Sequence, residues 1–242
     1  MKKLRFNEGF VGILAIMLGI LQFIFGYEDF KVICLSHGFK YKVYDFYSYM
    51  FIGNQFGKVC YLDKKNLELL LMPLAFLVFG MFIAGWNFMA KPKEYHQFVY
   101  SRVDSESCFV RKLFVESCNI IACYVVCYFS IIAVLGMMFV HRYDAMAKIL
   151  IAFIFGIISR IIFLLMIKSI LLFIYLRNGL TQTILLGICV VGIVFMINID
   201  VENSLCNLIL FSNMPNILGI VIMMAATYVF NIINKKIDIV KI

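Results

Sequence analysis

Few residues in this sequence could do chemistry, and their spacing decides most of what they mean. His96 and Cys108 share the segment KPKEYHQFVYSRVDSESCFVRKLF, residues 91–114. A histidine near a cysteine can form a nucleophilic dyad, in which the imidazole takes the thiol proton and the thiolate attacks a carbonyl. The histidine's surroundings, KEYHQFV, contain no glycine, and ordinary polar loop residues are the simpler reading. The stretch GNQFGKV at 53–59 has the outline of a phosphate-binding loop. Such a loop needs a wider glycine spacing and a final Ser or Thr hydroxyl to hold magnesium. Here the glycines are one residue too close, and Val59 takes the hydroxyl's place. No other stretch competes, so the chain is expected to hold no nucleotide site and to hydrolyse no nucleotide by itself. The eight cysteines make no CxxC pair, and His37, His96 and His141 are far apart. No metal site is expected from that spacing.

Arg160 is the most informative charge. It sits in IAFIFGIISRIIFLLMIKSILLF, twelve residues after Lys148, which is about 18 Å along a helix. A cation at that depth in a membrane is costly and normally faces a protein interior or a watery cavity. No Asp or Glu shares the central part of any apolar run. A backbone carbonyl, a lipid phosphate, another subunit or a transported substrate remain open as its partner. Lys168 is expected nearer the inner face, with its ammonium snorkelling to the boundary.

The elements that must position these residues follow from composition. The chain has 242 residues, 64% hydrophobic and 15% charged, too little polar surface for a soluble domain of this length. Several apolar runs approach or exceed the roughly 20 residues that cross a bilayer. Backbone polar groups in lipid must be satisfied within the segment, and no alternating barrel pattern is present, so the spans are helices. The expected fold is all-α: one polytopic membrane domain, residues 1–242, with six spans near 9–27, 67–90, 115–140, 148–174, 180–198 and 215–234. MKKLRF resembles the start of a signal peptide, but no small-residue cleavage site follows, so the first run is read as a retained span.

The net charge of +8 is spread between the runs rather than gathered in a patch, which argues against nucleic acid. Lys2, Lys3 and Arg5, the five basic residues of 91–114, and Lys235, Lys236 and Lys241 contrast with 199–214, which has no Lys or Arg. Positive charge marks the cytoplasmic side, so both termini and 91–114 are expected inside. The long outer loop 28–66, with six lysines, is the exception, because long loops translocate largely regardless of charge. Within it Tyr44, Tyr47 and Phe51 have helical spacing and are read as interfacial anchors, with a substrate-contacting lip as the alternative. Cys34 and Cys60 fall on that side and are candidates for pairing. CNLILF at 206–211 is too short to span, and Asn213 and Pro215 follow it. A short re-entrant or interfacial helix fits there.

Residues 91–114 are longer than a simple connection between antiparallel helices needs. Pro92 suits a helix start, and Phe98 with Arg102, then Phe109 with Leu113, sit four apart. An apolar edge accompanied by charge can lie on the membrane face and dock a soluble partner.

This arrangement resembles the ABC-2-type transporter permeases, across nearly the whole chain. The shared features are six spans, both termini inside, a short inner helix between spans two and three, and a broken element before span six. The matching inner stretch is EYHQFVYSRVDSESCFVRKLF, residues 94–114, with SR…RKLF as its most family-like portion. The resemblance implies that this is a coupling helix, inserted in a groove of a separate ATP-binding-cassette ATPase that carries ATP and magnesium. Glu94, Arg102 and Asp104 would be its polar docking residues, and Phe98 and Phe109 its apolar ones. The small size is similar to permeases of bacteriocin and lantibiotic self-protection exporters, in which two permease chains and two ATPases remove antimicrobial peptides from a bacterial cell membrane. The long first outer loop departs from the smallest members, and Arg160 matches no role in the family. A membrane peptide-processing enzyme using His96 and Cys108, and a stand-alone immunity protein, are the alternatives.

Overall fold

The computed structural model describes residues 8–37, 46–47, 55–56, 59–60, 67–89, 106–140, 146–200 and 217–235. Its helices, in chain order, are α1 (Glu8–His37), α2 (Leu67–Met89), α3 (Glu106–Phe139), α4 (Met146–Asn178), α5 (Leu180–Asp200) and α6 (Ile217–Lys235). Between α1 and α2, strands β1 (Gln55–Phe56) and β2 (Val59–Cys60) form a two-residue antiparallel ladder, with Gln55 opposite Cys60 and Phe56 opposite Val59. The described part of GNQFGKV therefore belongs to a hairpin, whereas a phosphate-binding loop leads from a strand into a helix.

Three helices are long and apolar enough to cross a membrane, over Gly9–Val32, Phe114–Phe139 and Phe153–Asn178. They mark the chain as a membrane protein. Leu74–Trp86, Leu180–Ile193 and Gly219–Asn234 are shorter apolar stretches of the described helices. Each apolar run in the sequence coincides with a helix, but the ends differ. Helix α1 continues ten residues past the expected end at 27, and α4 four past 174. A helix stops where its hydrogen bonding stops, not where its side chains cease to be apolar. At the end of α1, Phe30 is buried and gives the polar turn around Glu28 and Asp29 a reason to remain helical. The expected re-entrant stretch 206–211 lies outside the described residues, as do Tyr44 and Phe51 and the side chain of Cys34.

Packing fixes the helix directions. Gly12 of α1 faces Cys123 and Cys127 of α3, and Gly19 faces Tyr128 and Ile131. Further along both helices, Phe23 and Tyr27 meet Phe139, with ring centroids 5.5 and 5.8 Å apart. The levels rise together, so α1 and α3 are parallel. Gly80 lies against Leu164 and Phe88 against Tyr175, so α2 and α4 are parallel as well. Phe129 of α3 meets Phe153 early in α4, while Phe114 lies under Lys168 late in α4, so those two helices are antiparallel.

Gly179 alone separates α4 from α5. Its φ of 85° is open to glycine without a Cβ penalty. Its N–H donates to the Tyr175 carbonyl at 3.0 Å, and its own carbonyl accepts from the Thr183 N–H at 3.3 Å. One residue thus closes α4 in a left-handed cap and opens α5. Leu171 meets Gly187, each eight residues from Gly179, so α5 folds back along α4.

Helices α1 to α5 therefore alternate in direction. The starts of α1, α3 and α5 share one end of the bundle with the ends of α2 and α4. In sequence that end adjoins Lys2, Lys3 and Arg5, Lys91 and Lys93, Arg111 and Lys112, and Arg177; it is the basic end.

The opposite end is closed by rings. Phe46 packs edge-on against Phe23 at 5.6 Å and Phe30 at 5.4 Å. Tyr47 meets the Phe153 ring at 4.7 Å and donates its hydroxyl proton to the Ala133 carbonyl. A Cβ on Gly136 would stand 2.6 Å from the Tyr47 ring and 3.0 Å from Phe46, so the glycine makes the space that admits both. Tyr47 was expected at the lipid boundary but is buried. The missing side chain at Gly136, far away in sequence, draws it inward.

Candidate functional site

The α3–α4 seam holds two cations. Serine and threonine on α4 to α6 return their hydroxyl protons to carbonyls within their own helices, as Ser159 does to Gly156, Ser169 to Leu165 and Thr227 to Met223, while Thr183 bonds the Gly179 carbonyl just ahead of α5. Such bonds let hydroxyls lie inside an apolar bundle at little cost. The Lys168 ammonium makes no such bond among the described residues.

Arg160 is buried. Its Nη1 donates to Ser159 Oγ at 2.9 Å and to the Gly156 carbonyl at 3.4 Å. Its guanidinium lies 5.6 Å from the centre of the Phe129 ring on α3, within the range of a cation–π attraction. A backbone carbonyl, one of the four partners that the sequence leaves open, is thus among its contacts. Gly156 contributes its carbonyl; a Cβ there would be in ordinary van der Waals contact with Nη1, 3.9 Å away.

Lys168 stands eight residues further along α4, about 12 Å toward the basic end. It is level with Phe114, where the apolar part of α3 begins, and ten residues short of Asn178, where that of α4 ends. Its exposure differs from the sequence reading. The residue is wholly buried, and its ammonium sits over the Phe114 ring at 4.6 Å instead of snorkelling outward. Among the described residues Nζ has no hydrogen-bond partner. Glu116 is close in sequence to Phe114 but lies on the exposed face of α3.

The neighbouring residue turns the other way. Ser169 faces α6, where Asn234 donates from Nδ2 to the Ser169 carbonyl at 3.0 Å and Ser169 Oγ reaches Asn231 Oδ1 at 3.4 Å. Asn234 Oδ1 is also buried without a partner among the described residues. Lys168 and Ser169 thus place polar groups on both sides of α4 at one level. The sequence signal that could have found this is the adjacent pair Lys168–Ser169 inside LLMIKSILLF, matched by two asparagines a turn apart near the end of the last apolar run.

The remaining candidate residues do not join this cluster. Glu94, Phe98, Arg102 and Asp104 lie outside the described residues, as does His96. Phe109 and Cys108 belong to the first turns of α3, but their side chains lie outside the described set. Residues 106–113 form one unbroken helix with the apolar part of α3. The second half of the expected coupling segment is therefore an extension of that span, not a separate helix. Among the described residues no group of three or more His, Cys, Asp or Glu could hold a metal ion.

No family model, curated protein or solved structure matches the chain.

Proposed function

We propose that this chain is the transmembrane permease subunit of an ATP-binding-cassette exporter in a bacterial cell membrane. In this reading α2, α5 and α6 cross the membrane together with the three longer helices, and both termini lie in the cytoplasm. The chain works with a separate cytoplasmic ATPase, which binds ATP and magnesium, and with a second permease that is identical or related. It binds no nucleotide and no nucleic acid itself. Its cargo is a hydrophobic or amphipathic molecule, with an antimicrobial peptide as the first candidate to test.

The observation that carries the reading is the organisation of the basic end. The end of α2 and the start of α3 meet there, and the charged segment between them is the longest connection on that side. A partner bound to Glu94, Phe98, Arg102, Asp104 and Phe109 would push directly on α3, because the helix continues from Glu106 into the bundle without a break. Helix α3 in turn faces the Arg160 and Lys168 cations across the seam. Motion at the basic end would therefore reach the interior through one rigid element. Export requires that the inward and outward states differ in cargo affinity, and a change in the surroundings of Arg160 supplies such a difference.

The test is isolation of the native complex in mild detergent, with identification of every chain. An ATPase bearing a phosphate-binding loop, present in equal copies with this chain, is the expected result. A solitary chain that cleaves peptides would replace the reading with the enzyme alternative.

A further inference from the structure

Helix α3 is packed on three sides. Cys123 and Cys127 meet α1 at Gly12. Tyr124 stacks on Phe76 of α2 and donates to its carbonyl, and Phe129 meets Phe153 of α4. The fourth side is open, and it is not uniformly apolar. Asn119 and Ser130 are exposed there. They are eleven residues apart, close to three helical turns, so they stand in one line along the helix. In the three long spans, every other exposed charged, amide or hydroxyl side chain among the described residues lies within about a turn of a span end: Glu28, Lys31, Glu116, Arg177 and Asn178.

Hydrocarbon offers these two groups no hydrogen bond. Asn119 is five residues beyond Phe114, about 7.5 Å inside the apolar part of α3, and its side chain is too short to snorkel as a lysine does. Ser130 is nine residues short of Phe139, deeper still. A serine in an apolar helix commonly returns its proton to its own helix, as Ser159 and Ser169 do. Ser130 makes no such bond, and neither it nor Asn119 has a hydrogen-bond partner among the described residues.

We infer that this line is the contact between two copies of the chain, with α3 packed parallel to its counterpart about a two-fold axis along the membrane normal. Copies inserted in the same direction are related by such an axis, which brings each residue of the line to its own equivalent. A contact of that symmetry must be self-complementary. A carboxamide and a hydroxyl are each both donor and acceptor, so each can bond to its equivalent, whereas a charged group would meet its own sign. Between the two rungs stand Ala122 and Val126, small enough for the backbones to approach, and a crossing of about 20° keeps both rungs in contact. The exposed face of α1 is different: Phe10, Ile13, Met17, Leu21 and Ile24 are large and apolar, as a surface against lipid requires. The inference rests on the export reading only for the role of a second permease, to which it gives an identity and a surface. Association is measured on this chain alone, without ATPase or cargo, so either can fail while the other stands.

The experiment places the full-length chain, with one fluorophore per chain, at high dilution in phosphatidylcholine liposomes, and single-molecule photobleaching counts the chains in each spot. Two steps are expected. Asn119→Leu combined with Ser130→Leu should weaken association about tenfold, read as mainly single steps at the same ratio of protein to lipid. Ile13→Ala on α1 should remain two-step. Single steps for the unaltered chain, or equal weakening in Ile13→Ala, would overturn the inference. Copper–phenanthroline cross-linking then locates the contact. Ser130→Cys should give dimer several-fold faster than the unaltered chain, whose own cysteines set the background, and faster than Leu185→Cys on the exposed face of α5. Cross-linking through position 185 and not 130 would overturn it, as would pairing only with an unlike permease. If the double variant does not fold, the cross-linking result decides, because Ser130→Cys closely keeps the size of the native side chain.

Discussion

Gly19 of α1 and Ile131 of α3 touch where no side chain could be added. A Cβ on residue 19 would overlap the Ile131 methyl and stand 3.0 Å from the Tyr128 carbonyl oxygen. Membrane helices associate through close contacts of this kind, because lipid gives no hydrophobic drive between them. Gly19→Val should therefore destabilise the bundle by about 1–3 kcal/mol. Gly9→Val, where nothing lies within 4 Å, should change little. Thermal unfolding in detergent compares the two. Equal melting temperatures would mean that α1 is not held at Gly19.

The aromatic end makes a second prediction. Gly136→Leu fills the space occupied by Tyr47 and Phe46, so residues 46–47 should leave the bundle. The thiol of Phe46→Cys should react slowly with a polar maleimide when Gly136 is kept, and several-fold faster when Gly136→Leu is added. No change in rate would contradict the wedge.

Orientation can be read by labelling intact and broken cells. Ser101→Cys and Asn203→Cys should react from opposite sides, with Ser101→Cys cytoplasmic, because the first segment carries five basic residues and the second none. Labelling from one side only would remove the six-span arrangement.

Removal of the central charge separates structure from transport. Arg160→Leu should insert at normal abundance, since an apolar residue is easier to place in lipid, and should lower export markedly. Full export at normal abundance would confine Arg160 to its contacts with Gly156, Ser159 and Phe129.

Docking is tested by Phe98→Asp and Phe109→Asp, made separately. Each should weaken co-purification of the ATPase while leaving the permease in the membrane, because a carboxylate buried in a groove without a partner costs several kcal/mol. If both variants, and then a scan of Glu94 through Lys112, retain full binding, the coupling segment lies elsewhere.

The sequence shows the helices far better than their surroundings. The six apolar runs predict the helices because length and composition in lipid leave few other structures. The enclosure of Lys168 does not follow from its run, because it depends on Phe114 lying across from it on another helix. Tyr47 shows the same limit: its helical spacing with Tyr44 and Phe51 fits an anchor, while its burial is decided by a glycine 89 positions away. Ser159 could be recognised only as a polar neighbour of Arg160. Its hydroxyl proves to be one of the acceptors that hold the guanidinium.

Gly179 has a mechanical consequence. A longer connection would let α4 and α5 swing independently, but a single left-handed residue, held on both sides by hydrogen bonds, leaves almost no slack. Any tilt of α4 must be transmitted to α5, and the pair behaves as one hinged blade with its pivot at the basic end. Because α4 carries both buried cations, a small rotation about that pivot would sweep Arg160, nineteen residues from Gly179, through a wider arc than Lys168. The two charges would then respond to the same stroke by different amounts.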